Sequence, residues 1–520
     1  VTAADVQRVA QTYLDPDRRM VIRYQAESAR PKVPVPPKAP SPPAVSVRYT
    51  GPISTLAPEG QRRAPPPIGA PVASIPPTPA EKVLGNGLRV IVARSSDLPL
   101  VTADLTVKAG SWADPPRLAG AAGMTADMLT EGTKTRSAQE IARQVEALGA
   151  TLNADAGIES SSVTLNVMPD KLPAAMAIMA DVARNPAFAA DELERQRQLA
   201  LDGLQVSMRE PGAVAGFVSA PVLYAGTAFG HTPTGSPASL ARISSADLTQ
   251  IHSGYFRPDN AVLVLTGDIT AEQGFDLAQQ AFGDWTNPTA TPPQAPDIAP
   301  KAAPRAVLVD IPGAGQAAVS VVRTATPRSD PAYYPGLVAN SVLGGGYSAR
   351  LNAEIRVKRG LSYGAASTLT PRRTTGAFTA RAQTKNESAP QVLDLIRAEM
   401  ARLAREPAGP DELTARKSSL VGNYGRQLAT TGGLADILGD LALYGVPLDE
   451  VGRYTGKVQA VSAADVLAYA GRNLDPASAS VIVVGDAKAF AAPLKARAPG
   501  LETISIDDLD LDAPSLRKAK

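Results

Sequence analysis

One helix–strand unit is written three times in this chain, and that repeat limits the folds open to it more than any other feature. Residues 1–24 read VTAADVQRVAQTYLDPDRRMVIRY and residues 461–484 read VSAADVLAYAGRNLDPASASVIVV, identical at eleven of 24 positions. A weaker copy, ISSADLTQIHSGYFRPDNAVLVLT, occupies 243–266. Each opens on a hydroxyl and an acid three residues apart: Thr2 with Asp5, Ser244 with Asp247, Ser462 with Asp465. The hydroxyl caps the helix start, and the acid answers it and suits the helix dipole. Pro16, Pro258 or Pro476 then stops the helix and leads into an apolar strand. Recurrence of the unit implies duplicated domains. The first copy has nothing before it, so residues 1–30 are expected to be the tail of an upstream homologous domain. The chain begins at Val1 rather than Met, which fits a missing N-terminal part.

The two complete stretches read in parallel. In the first, over 80–290, a hairpin turns at Asn86-Gly87 and VTADLTVKAG forms a strand. Helices are predicted over 116–131 and 137–148, the second capped by Ser137 with Glu140 and closed by Gly149. TLNADAG pairs with SSVTLNVM, helices follow over 170–184, 190–208 and 244–254, and a strand over 260–266 closes the unit. In the second, over 297–505, AVLVDI and AAVSVVRT are strands and 331–342 is helix. LSYGAASTL pairs with GAFTARAQT, and helices run over 389–403, 410–429 and 434–444. Antiparallel ribbons with helices gathered in blocks predict an α+β fold: two tandem homologous domains, each a mostly antiparallel sheet covered by helices. Residues 506–520 read as a C-terminal tail.

Residues 31–79 hold sixteen of the 47 prolines. Such a composition favours extended polyproline segments over a packed core and reads as a linker, spanning about 39 Å by random-coil scaling. Both charge signs are interspersed at a net +2, which gives no nucleic-acid footprint. No apolar run is long enough for a membrane span. With no Cys, disulfides, thiolate zinc sites and a Cys nucleophile are excluded. Two His, His231 and His252, lack a helical partner three or four residues away and support neither a metal site nor a Ser–His pair. His231 reads as a loop residue, His252 as a helix-face residue at a packing boundary. LGGGYSAR, at 343–350, lacks the Gly-Lys-Ser/Thr ending of a phosphate loop.

Several stretches, in this order and spacing, carry a family resemblance: LGNGLRVIV, GAAGMTADMLTEGT, HTPTGSPASLARIS, YFRPDNAVLVLTGD and LGGGYSARLNAEIRVKRGLSYG. The chain resembles the insulinase/pitrilysin (inverzincin) family of zinc metallopeptidases over about 80–505. The resemblance implies a half-clamshell of two such domains, and LGGGYSAR as a tight turn between helices. Active members carry His-x-x-Glu-His on the first long helix, where two imidazoles on one face bind Zn²⁺ and the Glu is general base. Aligned on Gly132-Thr133, those positions here are Gly123, Ala126 and Asp127. The family's third ligand falls near Asp202 and Gly203, so no zinc first shell is expected in this chain.

The family's arginine/tyrosine segment, by contrast, is present and falls on Arg356 and Tyr363. From the residues alone, Arg356 sits in the last turns of a helix ended by Gly360, and Tyr363 stands on the strand beyond it. The resemblance gives this pair a catalytic role across a chamber from the zinc: the phenol donates to the developing oxyanion, the guanidinium engages substrate oxygens. The bland alternative is an arginine that suits a helix C-terminus and a tyrosine that fills a sheet face. The resemblance therefore implies the non-catalytic half of a zinc peptidase. It would form a heterodimer-like assembly with an active half that holds the zinc, and edge strands would take up extended peptide substrates. A catalytically inert scaffold or peptide-binding module is the alternative, and an independent peptidase with a rebuilt metal site a third. Absence of Cys and the Pro-rich strap fit the bacterial periplasm and are compatible with the cytoplasm.

Overall fold

The computed structural model describes residues 1–24, 55, 57–63, 75–298 and 303–518, in two compact units, Val1–Ala70 and Pro71–Lys520. Most of the Pro-rich 31–79 stretch lies outside the described residues.

The first unit holds the helix Ala3–Tyr13, whose capping box is formed: Asp5 N–H donates to Thr2 Oγ1 at 3.2 Å, and Thr2 N–H to Asp5 Oδ2 at 2.9 Å. A short 3₁₀ turn, Pro16–Arg18, follows. The strand expected over the next residues is not formed: 19–24 pair with no strand among the described residues. A strand exists only by its ladder, and the equivalent segments of the other two copies each have a neighbour on both sides.

The second unit contains two six-stranded sheets. Sheet one comprises β1 (Ala80–Val83), β2 (Arg89–Arg94), β3 (Val101–Val107), β4 (Thr151–Ala156), β5 (Ser161–Val167) and β6 (Ala261–Gly267), in the order β1-β2-β6-β3-β5-β4. Sheet two comprises β7 (Ala306–Asp310), β8 (Ala317–Ala325), β9 (Ala365–Thr370), β10 (Gly376–Thr384), β11 (Ser480–Gly485) and β12 (Glu502–Ser505), in the order β12-β7-β11-β8-β10-β9. The repeated unit supplies β6 and β11. Each lies parallel to β2 or β7 on one side and antiparallel to β3 or β8 on the other. The fold is α+β, with mostly antiparallel sheets flanked by helices.

Every residue of β6 and β11 is buried, so both sheet faces are covered. One face packs under helices of its own domain: Leu172–Arg184 and Ala271–Phe282 on sheet one, Tyr333–Leu343 and Ala389–Leu403 on sheet two. The other face is covered reciprocally. The helix Thr431–Leu443 crosses β3 and β6, setting Leu434 and Leu438 against Ile91, Val262 and Val264. Its counterpart, Pro211–Tyr224, crosses β8 and β11, setting Val214 and Val218 among Val309, Val322 and Ile482. Strand alternation explains the two sets: Leu263 and Leu265 face home helices while Val262 and Val264 face the visitor.

Two expectations change, and one helix was not foreseen. The helix predicted over 116–131 is shorter, Ala121–Met128, because Gly120 at φ +90° cannot continue a helix and the residues before it form turns. The Pro211–Tyr224 helix carries no polar face to give a helical period, and contains Pro221, so its pattern is silent. The presumed tail at 506–520 packs Leu509, Leu511 and Leu516 into the core.

Candidate functional site

The helix Ala121–Met128 starts where the Asp114 carboxylate accepts from Gly120 N–H at 2.8 Å and Ala122 N–H at 2.7 Å. His231 Nε2 lies 3.1 Å from the same carboxylate, so this histidine ties the loop before Ser236 to the helix start. Burial pushes the Asp114 carboxyl above its usual range; the histidine and the two amides act the other way. Gly120 and Gly235 meet backbone to backbone here, both in the left-handed region, and Ser239 Oγ donates to Ala119 O at 2.8 Å. The HTPTGSP stretch is thus the brace of this helix.

On that helix Ala126 is wholly buried, Gly123 offers no side chain, and Asp127 alone presents a ligand atom. Desolvation of the carboxylate, with repulsion from Asp155 and Glu131 added, raises its pKa to about 6, although part of the residue meets solvent. Asp202 and Gly203 are exposed on the Ala190–Ser207 helix. Glu131 is engaged by Arg195 and by Gln196 Nε2 at 2.6 Å. Among the described residues no group of three or more His, Asp or Glu is arranged to hold a metal ion. The residues at the motif positions do not fit zinc, since one carboxylate with acidic neighbours lacks the neutral imidazoles a tetrahedral site needs.

His252 is a packing residue, as its sequence context suggests. It stacks on Phe256 at 4.9 Å, meets Phe188 edge-on, and Nε2 lies 2.9 Å from Ala183 O. Burial lowers its pKa from 6.5 to about 4. The unfolded chain therefore binds the extra proton first, and the stability due to the neutral ring is complete above pH 6.5 and lost as pH falls through about 4. Between pH 7 and pH 5 this should cost about 2 kcal/mol. Urea titrations at the two pH values should show that loss in the wild type and a smaller one in His252→Gln.

The arginine/tyrosine segment lies at the other domain's edge. Arg356 belongs to a π-helical turn, Ala353–Val357, and Gly360 at φ +61° ends the helix. Tyr363 is not on a strand, because β9 begins only at Ala365. Instead Ser362 Oγ donates to Gly364 O at 2.7 Å and accepts from Gly364 N–H at 3.1 Å, and this local turn points the phenol outward. Tyr363 is 90% exposed, which rules out a sheet-face filler. It stands at the junction of two clefts. One, of 340 Å³, is walled by Gly212, Ser320, Arg381 and Gln383; the other, of 390 Å³, by the Gly344–Gly346 turn, Tyr347 and Asn352.

Arg356 does not share that wall. Its guanidinium stacks on the Tyr347 ring at 4.4 Å, and Nη1 is buried without a partner among the described residues. Glu354, the nearest acid in sequence, is taken by Lys358 at 2.7 Å and by Arg359. The pair expected on one face is therefore linked through Tyr347, which lines the cleft with Tyr363. The LGGGYSAR turn lies where expected, between the helices Tyr333–Leu343 and Arg350–Asn352, with Ser367 N–H donating to Gly344 O at 3.0 Å. Tyr347, Arg381 and the Gly212 wall were not foreseen. Alternation in GAFTARAQT placed Arg381 opposite the buried side of β10, a signal available in the sequence.

Two family models match: "Insulinase (Peptidase family M16)" over residues 89–228 and "Peptidase M16 inactive domain" over 242–420, together more than half of the chain. An uncharacterized zinc protease of Streptomyces coelicolor is 25% identical over 410 residues, 78% of this chain and 89% of that protein. Subunit 1 of the mitochondrial cytochrome b-c1 complex of Bos taurus is 30% identical over 212 residues, 40% of this chain and 43% of that protein. A crystal structure of a peptidase M16 inactive domain from Pseudomonas fluorescens superposes with a TM-score of 0.73 at 26% identity, covering 78% of this chain and 98% of that one. With the duplicated sheets, the ordered motifs and these matches in agreement, the chain belongs to the insulinase family of peptidases, family M16, and lacks that family's His-x-x-Glu-His set.

Proposed function

We propose that this chain is the non-catalytic half of a two-part peptidase, paired with an active half that carries the His-x-x-Glu-His helix and its zinc. The active half is either another stretch of the same polypeptide or a separate subunit. One observation carries the reading. A helix with no ligand set coexists with a fully presented phenol, Tyr363, at the mouth of two clefts. The zinc-protease relative supports the peptidase class. In the assembled enzyme, Tyr363 O–H donates to the peptide carbonyl oxygen as it gains negative charge, and Arg356 adds positive charge behind Tyr347. Among the described residues β9 pairs only with β10, so its other edge can take up an extended peptide by strand addition.

The test is a peptide-cleavage assay of this chain mixed with a His-x-x-Glu-His half. Tyr363→Phe removes one hydrogen bond and is expected to lower kcat about tenfold. Arg356→Ala should lower it as well, through loss of charge behind the Tyr347 ring. Rates unchanged in both variants would sink the assigned roles. The likeness to a cytochrome b-c1 subunit favours a second reading, an inert scaffold. That reading predicts stable co-elution with a partner and no cleavage with any zinc-bearing half.

A further inference from the structure

Where the Pro211–Tyr224 helix crosses sheet two, a cleft remains beside β9 and β10, and two guanidinium groups line it. Along β10, Phe378, Ala380 and Ala382 are buried beneath the home helices, while Thr379, Arg381 and Gln383 turn to the opposite face. There a cleft of 370 Å³ runs between β8–β10 and the Pro211–Tyr224 helix. Its helical wall shows Gly212 and Gly216, one turn apart, and Gly216 has no atom within 4 Å of where a side chain would begin. The wall stays open because no side chain fills it. Ser320 and Thr368 add hydroxyls to the floor.

Arg381 is exposed in this cleft and makes no hydrogen bond or ion pair among the described residues. Arg372, in the β9–β10 turn, lines the same cleft but is only 9% exposed. Its guanidinium sits 5.1 Å from the Tyr224 ring centre and 5.0 Å from that of Phe229, and its buried Nη1 has no partner among the described residues. Aromatic faces offset about 2 kcal/mol of a desolvated cation's cost, less than an anion would. Glu159 is near enough to feel Arg372, but it accepts instead from Arg373 N–H, at 3.1 and 3.2 Å. A buried guanidinium with an unsatisfied N–H, lining a cleft that a second guanidinium without a hydrogen bond or ion pair also lines, suits the planar, two-oxygen geometry of a carboxylate.

We propose that this cleft is a carboxylate-binding subsite, in which Arg372 and Arg381 engage the C-terminal carboxylate or an Asp/Glu side chain of an extended peptide. The peptide as ligand rests on the function proposed above, since the cleft adjoins the outer edge of β9. The carboxylate preference is read separately, on this chain alone, with no active half and no cleavage.

Fluorescence anisotropy is measured with three short N-acetylated peptides of Ala, Ser and Gln. One is amidated, one has a free C-terminus, and one is amidated with a central Glu. The free acid, the Glu peptide or both should bind tenfold to a hundredfold more tightly than the neutral amide. Which of the two binds identifies the source of the carboxylate. Arg381→Gln, at an exposed position that the fold does not need, should abolish that preference. Arg372→Lys, which keeps the charge but loses the fork, should weaken it. Equal binding of all three peptides, or a preference untouched in both variants, overturns the subsite. A subsite that fails while Tyr363→Phe still slows cleavage leaves the peptidase reading standing; the reverse result separates them the other way.

Discussion

Gly235→Val should destabilise the protein by about 2–5 kcal/mol, the sum of a left-handed backbone penalty and an overpacked contact. Gly235 sits at φ +75°, where a Cβ would lie 2.5 Å from Ala119 O and 3.0 Å from Leu240 Cδ2. Neither neighbour can yield cheaply. Ala119 O is a backbone atom that also accepts from Ser239 Oγ, and Leu240 is 2% exposed. Gly226 provides the control. It has nearly the same φ, +74°, with nothing within 4 Å of a built Cβ, so Gly226→Val should show only the backbone share, about 1–2 kcal/mol. Urea unfolding of the two variants separates contact from conformation. Equal losses would mean that the Gly120–Gly235 contact does not hold the helix Ala121–Met128 in place.

Glu450→Ala is expected to cost about 2–4 kcal/mol, as it leaves the nearly buried Arg328 uncompensated and the Tyr334 hydroxyl without its acceptor. The carboxylate accepts from Tyr334 O–H at 2.5 Å and from Lys457 Nζ at 2.6 and 2.8 Å, with Arg328 3.9 Å away. It locks the helix Tyr333–Leu343 to the helix Glu450–Ala460. Burial alone would raise its pKa, but Lys457 and Tyr334 more than offset this and hold it below the usual value. A lowered folded-state pKa means that the stabilisation is present above the unfolded value of 4.5 and lost as pH falls through the folded one. Thermal unfolding should therefore show a wild-type advantage over Glu450→Ala that is full near neutrality and shrinks in acid. Glu450→Gln, which still accepts from Tyr334, should lose less than the alanine variant.

The sequence was most legible where local chemistry and tertiary role agree. Capping pairs at Thr2, Ser137, Ser244 and Ser462 all form as their spacing suggests. The Asn86-Gly87 turn does too, and Asn86 Nδ2 further anchors it to Phe282 O at 2.7 Å. Where a residue's fate depends on a distant surface, sequence was silent. Pro211–Tyr224 shows no helical period because it is enclosed by apolar surroundings contributed by β8 and β11, strands far along the chain. Residues 20–24 have the composition of β6 and β11 but not their neighbours, so composition misled. At the candidate site, the resemblance singled out Tyr363 but said nothing of its setting. Ser362 and Gly364 decide that the phenol faces a cleft rather than a sheet, and Tyr347 stands with Arg356 through a stacking contact that no spacing rule encodes.

The reciprocal crossing of Pro211–Tyr224 and Thr431–Leu443 has a mechanical consequence. Each tandem domain closes the other's sheet, so swinging them apart would strip Ile91, Val262 and Val264 on one side and Val309 and Ile482 on the other. Apolar strand faces of that extent do not open and shut against water in a working cycle. Residues 80–505 thus behave as one stiff jaw. Under the proposed function, a gape that admits a peptide comes from movement of this jaw against a second body, not from flexing within it.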